Sequence, residues 1–247
     1  MPKKVLVIQA RIGSTRLPAK VLLPLAGKPL ISRLVERVLD CKTVDEVVVA
    51  IPENYENDIL NKVLLSSGAE IYRGSENDVL DRYYQASRKY NADYILRIPA
   101  DNPVPCSEEI DRVVNFHLKN NCFGFSSNLA EVHNSRYPDG IGAEIFSFDN
   151  LASAWENRKA GSESSEHVHL NFYDYKKKMK NTNFKFDIDS PLCPESFARP
   201  DVILDVNTLA QYLFIAEMYE DLYDAQMHFK IEQIVKWYDW KTEKNND

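Results

Sequence analysis

Cysteine, long apolar runs and the common phosphate-loop signatures are scarce or missing in this chain, and each absence removes a class of protein. The four cysteines, Cys41, Cys106, Cys122 and Cys193, are scattered and form no C-x-x-C pair. That favours free thiols in a reducing cytoplasm over a disulfide framework or a zinc site. No apolar run approaches the length of a membrane span, so no membrane partner is expected. Met1-Pro2-Lys3-Lys4 leads straight into an apolar segment, so no secretory signal region is expected either. Neither G-x-x-x-x-G-K-[ST] nor G-x-G-x-x-G occurs. Repeats, low-complexity linkers and a clear domain boundary are also lacking. The 247 residues suffice for one large α/β domain or two small ones. A hydrophobic fraction of 44% and a charged fraction of 27% are those of an ordinary soluble protein.

The net charge of −7 argues against a general nucleic-acid binder, but charge is unevenly placed. Residues 1–37 hold Lys3, Lys4, Arg11, Arg16, Lys20, Lys28, Arg33 and Arg37 against the single acid Glu36. A cationic segment on an acidic protein suggests a local anion site, although Lys3, Lys4 and Arg37 read better as a solvated basic face.

Strand-like and helix-like patterns alternate. Val5–Ala10, Glu46–Ile51, Glu70–Tyr72 and Tyr94–Ile98 read as strands, the first two β-branched enough to be buried. Pro29–Leu39, Asn57–Ser67, Asp78–Tyr90 and Ser107–Asn120 read as helices, with Gly68 as a C-terminal stop and Ser107 as an N-cap. Short connections between such elements predict an α/β fold, a mainly parallel sheet with helices on both faces. Ligands then sit beyond the carboxyl ends of the strands. After residue 121 the pattern loosens. Phe123–Ser127, Ala143–Phe146, Lys185–Asp189 and Val202–Leu204 look like strands, Phe148–Arg158 like a helix, and Gly161–Ser165 and Lys176–Lys180 like loops. Asn207–Leu222 is helical, with Leu209, Leu213, Ala216 and Leu222 available for the core. The final helix, His228–Trp240, carries an apolar stripe of Ile231, Ile234, Val235 and Tyr238, and the tail from Lys244 to Asp247 is expected to fray.

The stretch Gln9–Lys20, Q-A-R-I-G-S-T-R-L-P-A-K, follows the first strand directly. Arg11, Arg16 and Lys20 supply three cations around the turn-forming Gly13 and Ser14. Arginine forks bind phosphate oxygens bidentately, lysine adds a point charge, and loop N–H groups fill remaining acceptor sites. Such a loop suits a polyphosphate.

The order A-R-x-G-S-x-R-L-P-x-K closely resembles the signature of the nucleotide-sugar cytidylyltransferases, which include the synthetases that activate 3-deoxy-manno-octulosonate and sialic acids. The branch named after spore coat polysaccharide biosynthesis protein F matches best. Gly27-Lys28-Pro29-Leu30-Ile31, Gly74–Tyr84, Pro138-Asp139-Gly140, Ala143–Phe146, Glu166-His167-Val168 and Leu204–Thr208 follow in the order of that family's landmarks. The resemblance implies a Rossmann-like nucleotide-diphospho-sugar transferase (GT-A-like) fold, with 1–247 forming one domain and a smaller acceptor-binding or dimerisation region around 123–175. It also implies a cytoplasmic enzyme, homodimeric in the manner of the family, that transfers CMP from CTP to an acidic sugar or a small sugar or polyol phosphate. Pyrophosphate is released, in the service of surface polysaccharide or glycoconjugate synthesis.

Carried over position by position, the resemblance makes Arg11 and Lys20 triphosphate ligands, with Arg16 a further candidate against a surface salt bridge. Ala10, Gly13 and Ser14 become backbone or hydroxyl contacts to nucleotide. Asp101 and Asp205 resemble the paired acids that hold Mg2+, against the alternative of ordinary turn formers; Arg11, Lys20 and Asp101 form the catalytic set. Ser75, Asp78 and Arg82 lie on the nucleoside side, although Asp78 equally suits a helix cap. Arg136, Tyr137, Asp139, Glu144 and His167 fall where the family binds the sugar, with ordinary packing as the other reading. Pro99-Ala100-Asp101-Asn102-Pro103 lacks the glutamine and glycine of the keto-acid synthetases' Q-G-D-E-P, and Asp205-Val206-Asn207-Thr208 departs from V-D-T-x-x-D. GTP, UTP or ATP as the nucleotide, or a catalytically silent nucleotide- or sugar-binding protein, therefore stay open here.

Overall fold

The computed structural model describes residues 1–120, 123–159, 161–224 and 227–244. The expectations for Cys122 and for the tail beyond Lys244 lie outside these. A central sheet of seven strands is built from β1 (Lys4–Gln9), β2 (Glu46–Pro52), β3 (Glu70–Gly74), β4 (Tyr94–Pro99), β5 (Phe123–Ser127), β6 (Glu144–Ser147) and β7 (Asp187–Asp189). Their spatial order is β7-β5-β6-β4-β1-β2-β3. The pairs β1/β2, β1/β4, β2/β3 and β5/β7 are parallel, and β6 runs antiparallel to both β4 and β5. This is the expected mixed, mainly parallel sheet.

Alternation along the central strands explains why both faces are covered. Leu6, Ile8, Val47, Val49, Ile51, Leu96 and Ile98 point to one face. There they meet α1 (Leu30–Val38), α2 (Asp58–Leu64) and α4 (Ser107–Lys119). Val5, Val7, Val48, Ala50 and Ile95 point to the other, where α3 (Val79–Lys89) and α5 (Phe148–Glu156) close over them with Phe125, Phe146 and Phe172. A further apolar cluster joins α6 (Leu209–Leu222) and α7 (Ile231–Lys244) to Tyr137, Ile141 and Val202–Val206.

The structure corrects several local expectations. Cys106, not Ser107, occupies the N-cap of α4 and gives no side-chain cap bond. Residues Glu163–Glu166 form a short helical turn where a loop was expected. Val202–Leu204 adds no strand to the sheet; Ile203 makes only an isolated parallel bridge to Asp139. Leu209 and Leu213 face outward at 58% and 56% exposure, and the helix buries Ile215, Met218 and Tyr219 instead. Arg37 is not on a solvated face. It is buried, donates from Nε to Pro105 O and from Nη2 to Phe229 O at 2.8 Å each, and stacks on Phe229. Lys3 and Lys4 do lie near the surface, paired with Glu46 and Asp45.

Candidate active site

The register of β1 against β4 aligns Gln9 with Pro99, so the two strands end together. Ala100 N–H donates to Gln9 O at 3.1 Å, which starts the Asp101 loop directly beside the first loop. The first loop is closed on itself. Ser14 and Ala19 both donate their N–H to Ile12 O, at 2.8 and 3.2 Å. Ala19 adopts a left-handed conformation, φ 53°, and reverses the chain into the single helical turn that begins at Lys20.

Lys20 is the hub of the site. Its Nζ donates to Asp101 Oδ2 at 2.9 Å, to Val206 O at 2.7 Å and to Asn207 Oδ1 at 3.1 Å. Arg16 Nη2 reaches the same Asn207 Oδ1 at 2.6 Å. Val206 N–H in turn donates to Asp101 O at 2.8 Å, so the backbones that carry Asp101 and Asp205 are bonded to each other.

Asp139 belongs to the same constellation. Asp139 N–H donates to Val202 O at 2.9 Å, and Leu204 N–H donates to Asp139 O at 3.1 Å. Gly140 follows with φ +98°, and a Cβ there would stand 2.9 Å from Asn102 Nδ2 and 3.3 Å from Leu204 Cβ. Only glycine lets the 139–140 segment approach the loops of both other acids this closely. Burial raises the Asp139 carboxyl from 3.8 to about 7, with the charges of Asp205 and then Asp101 adding to it. Burial also raises Asp205, helped by Asp101 and opposed by Lys20. Three acids thus crowd one end of a site whose other end is cationic.

A divalent cation fits the acid end. Among the described residues Asp205 Oδ1 is buried with no hydrogen-bond partner, an expensive state for a carboxylate unless a cation meets it. Among the described residues no group of three or more His, Cys, Asp or Glu side chains is arranged to hold a metal alone. Magnesium needs no such group, since it binds through one or two carboxylates and completes its octahedron with phosphate oxygens and water.

The cleft beyond these strand ends is about 310 Å³ and is lined by Ala10, Arg11, Ser14, Arg16, Lys20, Arg82, Asp101 and His167, together with Gln9, Thr15, Arg97 and Glu166. Arg11 reaches across it to Glu166, Nη2 to Oε1, at 3.2 Å. Arg82 is buried, donates from Nη1 to Ser75 O, and has no partner for Nε among the described residues. Burial, with Arg11 nearby, lowers its pKa to about 10.

Other expected site residues stand outside this lining. Gly13 lies exposed in the first loop. Asp78 caps α3 through Asp81 N–H and pairs with Arg158 at 2.9 Å, and Ser75 Oγ accepts from Asp78 N–H. Arg136 pairs with exposed Glu195. Tyr137 is 1% exposed and gives its hydroxyl to Glu109 Oε2 at 3.0 Å. Glu144 is fully buried, accepting from Arg97 Nη1 at 2.8 Å and Tyr175 OH at 2.9 Å. For Tyr137 and Glu144 the packing reading therefore describes the side chains as they stand. Sequence reasoning passed over Arg97, Glu166 and Asn207. A cation inside the apolar strand Y-I-L-R-I-P was the available signal for Arg97, and the departure D-V-N-T was the signal for Asn207.

Polyphosphate-type cations facing paired acids at the carboxyl edge of such a sheet define a nucleotidyltransferase-type site, and comparison with known proteins agrees. A family profile described as cytidylyltransferase matches residues 5–237. An uncharacterized protein of Methanocaldococcus jannaschii is 36% identical over 239 residues, 94% of this chain and 89% of its own length. The spore coat polysaccharide biosynthesis protein SpsF of Bacillus subtilis is 30% identical over 218 residues, 87% of this chain and 85% of its own. A solved cytidylyltransferase from Leptospira borgpetersenii shares the fold with a TM-score of 0.85 at 24% identity, covering 98% of this chain and 96% of that one. The chain belongs to the cytidylyltransferase family, whose activity is nucleotidyl transfer. No described helix is long and apolar enough to cross a membrane.

Proposed function

We propose that this chain transfers CMP from CTP to an acidic sugar or a small sugar or polyol phosphate, releasing pyrophosphate, as a step towards a surface polysaccharide or glycoconjugate. The observation that carries the reading is the meeting of Lys20 with Asp101 and the Val206–Asn207 segment at one strand edge. That contact sets the cations of the first loop beside Asp101 in one cleft and joins them to the segment that carries Asp205. An acceptor oxygen attacks the α-phosphorus in line; the new O–P bond forms as the bond to the bridging oxygen of the pyrophosphate breaks. Catalysis on this reading is positioning and charge neutralisation, with no covalent nucleophile.

Each residue then has a defined task. Lys20 and Arg16 donate to phosphate oxygens from one side. Arg11 exchanges Glu166 for the phosphates, because its present partner is solvent-exposed and weakly held. Asp101 and Asp205 would hold Mg2+, which supplies neutralisation of charge on the phosphate oxygens. His167, which also lines the cleft, is assigned to the acceptor, while Arg97 lines the cleft with its Nη1 committed to buried Glu144. A cytoplasmic setting accords with Cys41, Cys106 and Cys193, all free thiols. A homodimer built on the 123–175 region belongs to the same proposal. The test is pyrophosphate release with CTP, GTP, UTP and ATP over a panel of 2-keto sugar acids and sugar phosphates. CTP with an anionic acceptor is expected to turn over; a clear preference for a purine nucleotide contradicts the reading.

A further inference from the structure

The departure D-V-N-T places an asparagine between the acid Asp205 and the start of α6. Its backbone is fixed. Asn207 N–H donates to Gln211 Oε1 at 2.9 Å, and Gln211 also completes the capping box with Thr208. Its side chain then spans two different partners. Oδ1 accepts from Arg16 Nη2 at 2.6 Å and Lys20 Nζ at 3.1 Å, while Nδ2 donates to Asp205 Oδ2. Chemistry fixes this orientation. Lysine and arginine only donate, so they require the carbonyl end; an ionised aspartate only accepts, so it requires the amide nitrogen.

We propose that Asn207 is a positioning residue whose amide couples the two halves of the site, holding Arg16 and Lys20 at one end and Asp205 at the other. The inference rests on the nucleotide-binding reading above. Among the described residues Arg16 has Asn207 as its one hydrogen-bonding partner, so its place at the cleft depends on that carbonyl. Lys20 has Asp101 and Val206 O as well, and the amide completes its shell. On the acid side, donation to Oδ2 commits that oxygen and orients the carboxylate, which leaves Oδ1, buried and unpartnered, as the atom available to a cation. No other standard side chain of this size does both: aspartate sets an acceptor against Asp205, and leucine offers neither group.

The experiment is a double-mutant cycle read by CTP binding, measured calorimetrically in EDTA and again with Mg2+, with thermal melts as a fold check. Asn207→Ala is expected to weaken metal-free CTP binding about ten-fold at a melting temperature within about 2 °C of wild type. Arg16→Ala is expected to weaken it too, and the double variant no more than the larger single effect, because both remove one coupled unit. A merely structural residue does not produce that non-additivity. The metal-dependent gain in CTP affinity is expected to shrink in Asn207→Ala and to be non-additive with Asp205→Asn. Unchanged CTP affinity in Asn207→Ala, or strictly additive effects, overturns the coupling while wild-type binding stands. Wild type that binds no CTP in either buffer overturns the nucleotide reading and the coupling with it.

Discussion

Lys20 Nζ lies 2.9 Å from Asp101 Oδ2, across 81 residues of sequence. The contact ties the loop after β1 to the loop after β4 and sets the proposed phosphate-binding lysine beside the proposed metal-binding acid. Both side chains retain some solvent contact, at 12% and 25% exposure, so the pair contributes only about 1 kcal/mol to stability. Asp101→Asn is expected to lower kcat about 1,000-fold and Lys20→Ala kcat/KM about 100-fold. Both should melt within a few degrees of wild type. Pyrophosphate release alongside thermal melts checks this, and an Asp101→Asn enzyme with near-normal rates contradicts the role of that acid.

Asp139 makes stability depend on pH. Its carboxyl is raised from 3.8 to about 7 in the folded chain, chiefly by burial and then by Asp205 and Asp101. Between those values the native state keeps a proton that the unfolded chain has released, so stability falls as pH rises through this window. The contribution is fully present below about pH 4 and lost above about pH 7. In metal-free buffer Asp139→Asn should melt about 2–5 °C above wild type at pH 8 and level with it near pH 4. Parallel melting curves across that range contradict the assignment.

Glu144 sits fully buried against Arg97, which is itself 4% exposed. Removing one partner strands the other charge in the interior. Glu144→Ala is therefore expected to cost about 3–5 kcal/mol, seen as a large fall in the denaturation midpoint. Glu144→Gln, which can still accept from Arg97 and Tyr175, should cost less. A Glu144→Ala chain as stable as wild type contradicts the burial of this pair.

Glu166 holds Arg11 at 3.2 Å with both side chains about half exposed. Such a pair adds little to stability, about 0.5 kcal/mol or less. On the proposed function it competes with a nucleotide for the same guanidinium. Glu166→Gln is expected to leave the melting temperature unchanged and to lower KM for the nucleotide by a few-fold. A raised KM in steady-state kinetics contradicts a competing role and makes Glu166 part of the binding machinery.

The β/α alternation was legible because the central strands are V/I-rich runs whose two faces are both buried, as in Val47–Ile51. The first loop was legible because its cations Arg11, Arg16 and Lys20 fall close together in sequence and follow the first strand directly. The partnership of Asp139 with Asp205 was not, since it depends on the bridge between Asp139 and Ile203 and on the close approach at Gly140. No local spacing encodes that contact. The outward turn of Leu209 and Leu213 was equally hidden: α6 is apolar almost all round, so periodicity does not select a face. Arg37 misled for a different reason. Its charge suggests solvent, but the carbonyls of Pro105 and Phe229 and the Phe229 ring receive the guanidinium inside.

Diffraction from crystals of this protein soaked with CTP and Mg2+ tests the proposed site most directly. A triphosphate is expected between Arg11, Arg16 and Lys20, with one metal ion bound by both Asp101 and Asp205. A triphosphate seated away from the first loop, or a metal that touches neither acid, contradicts it.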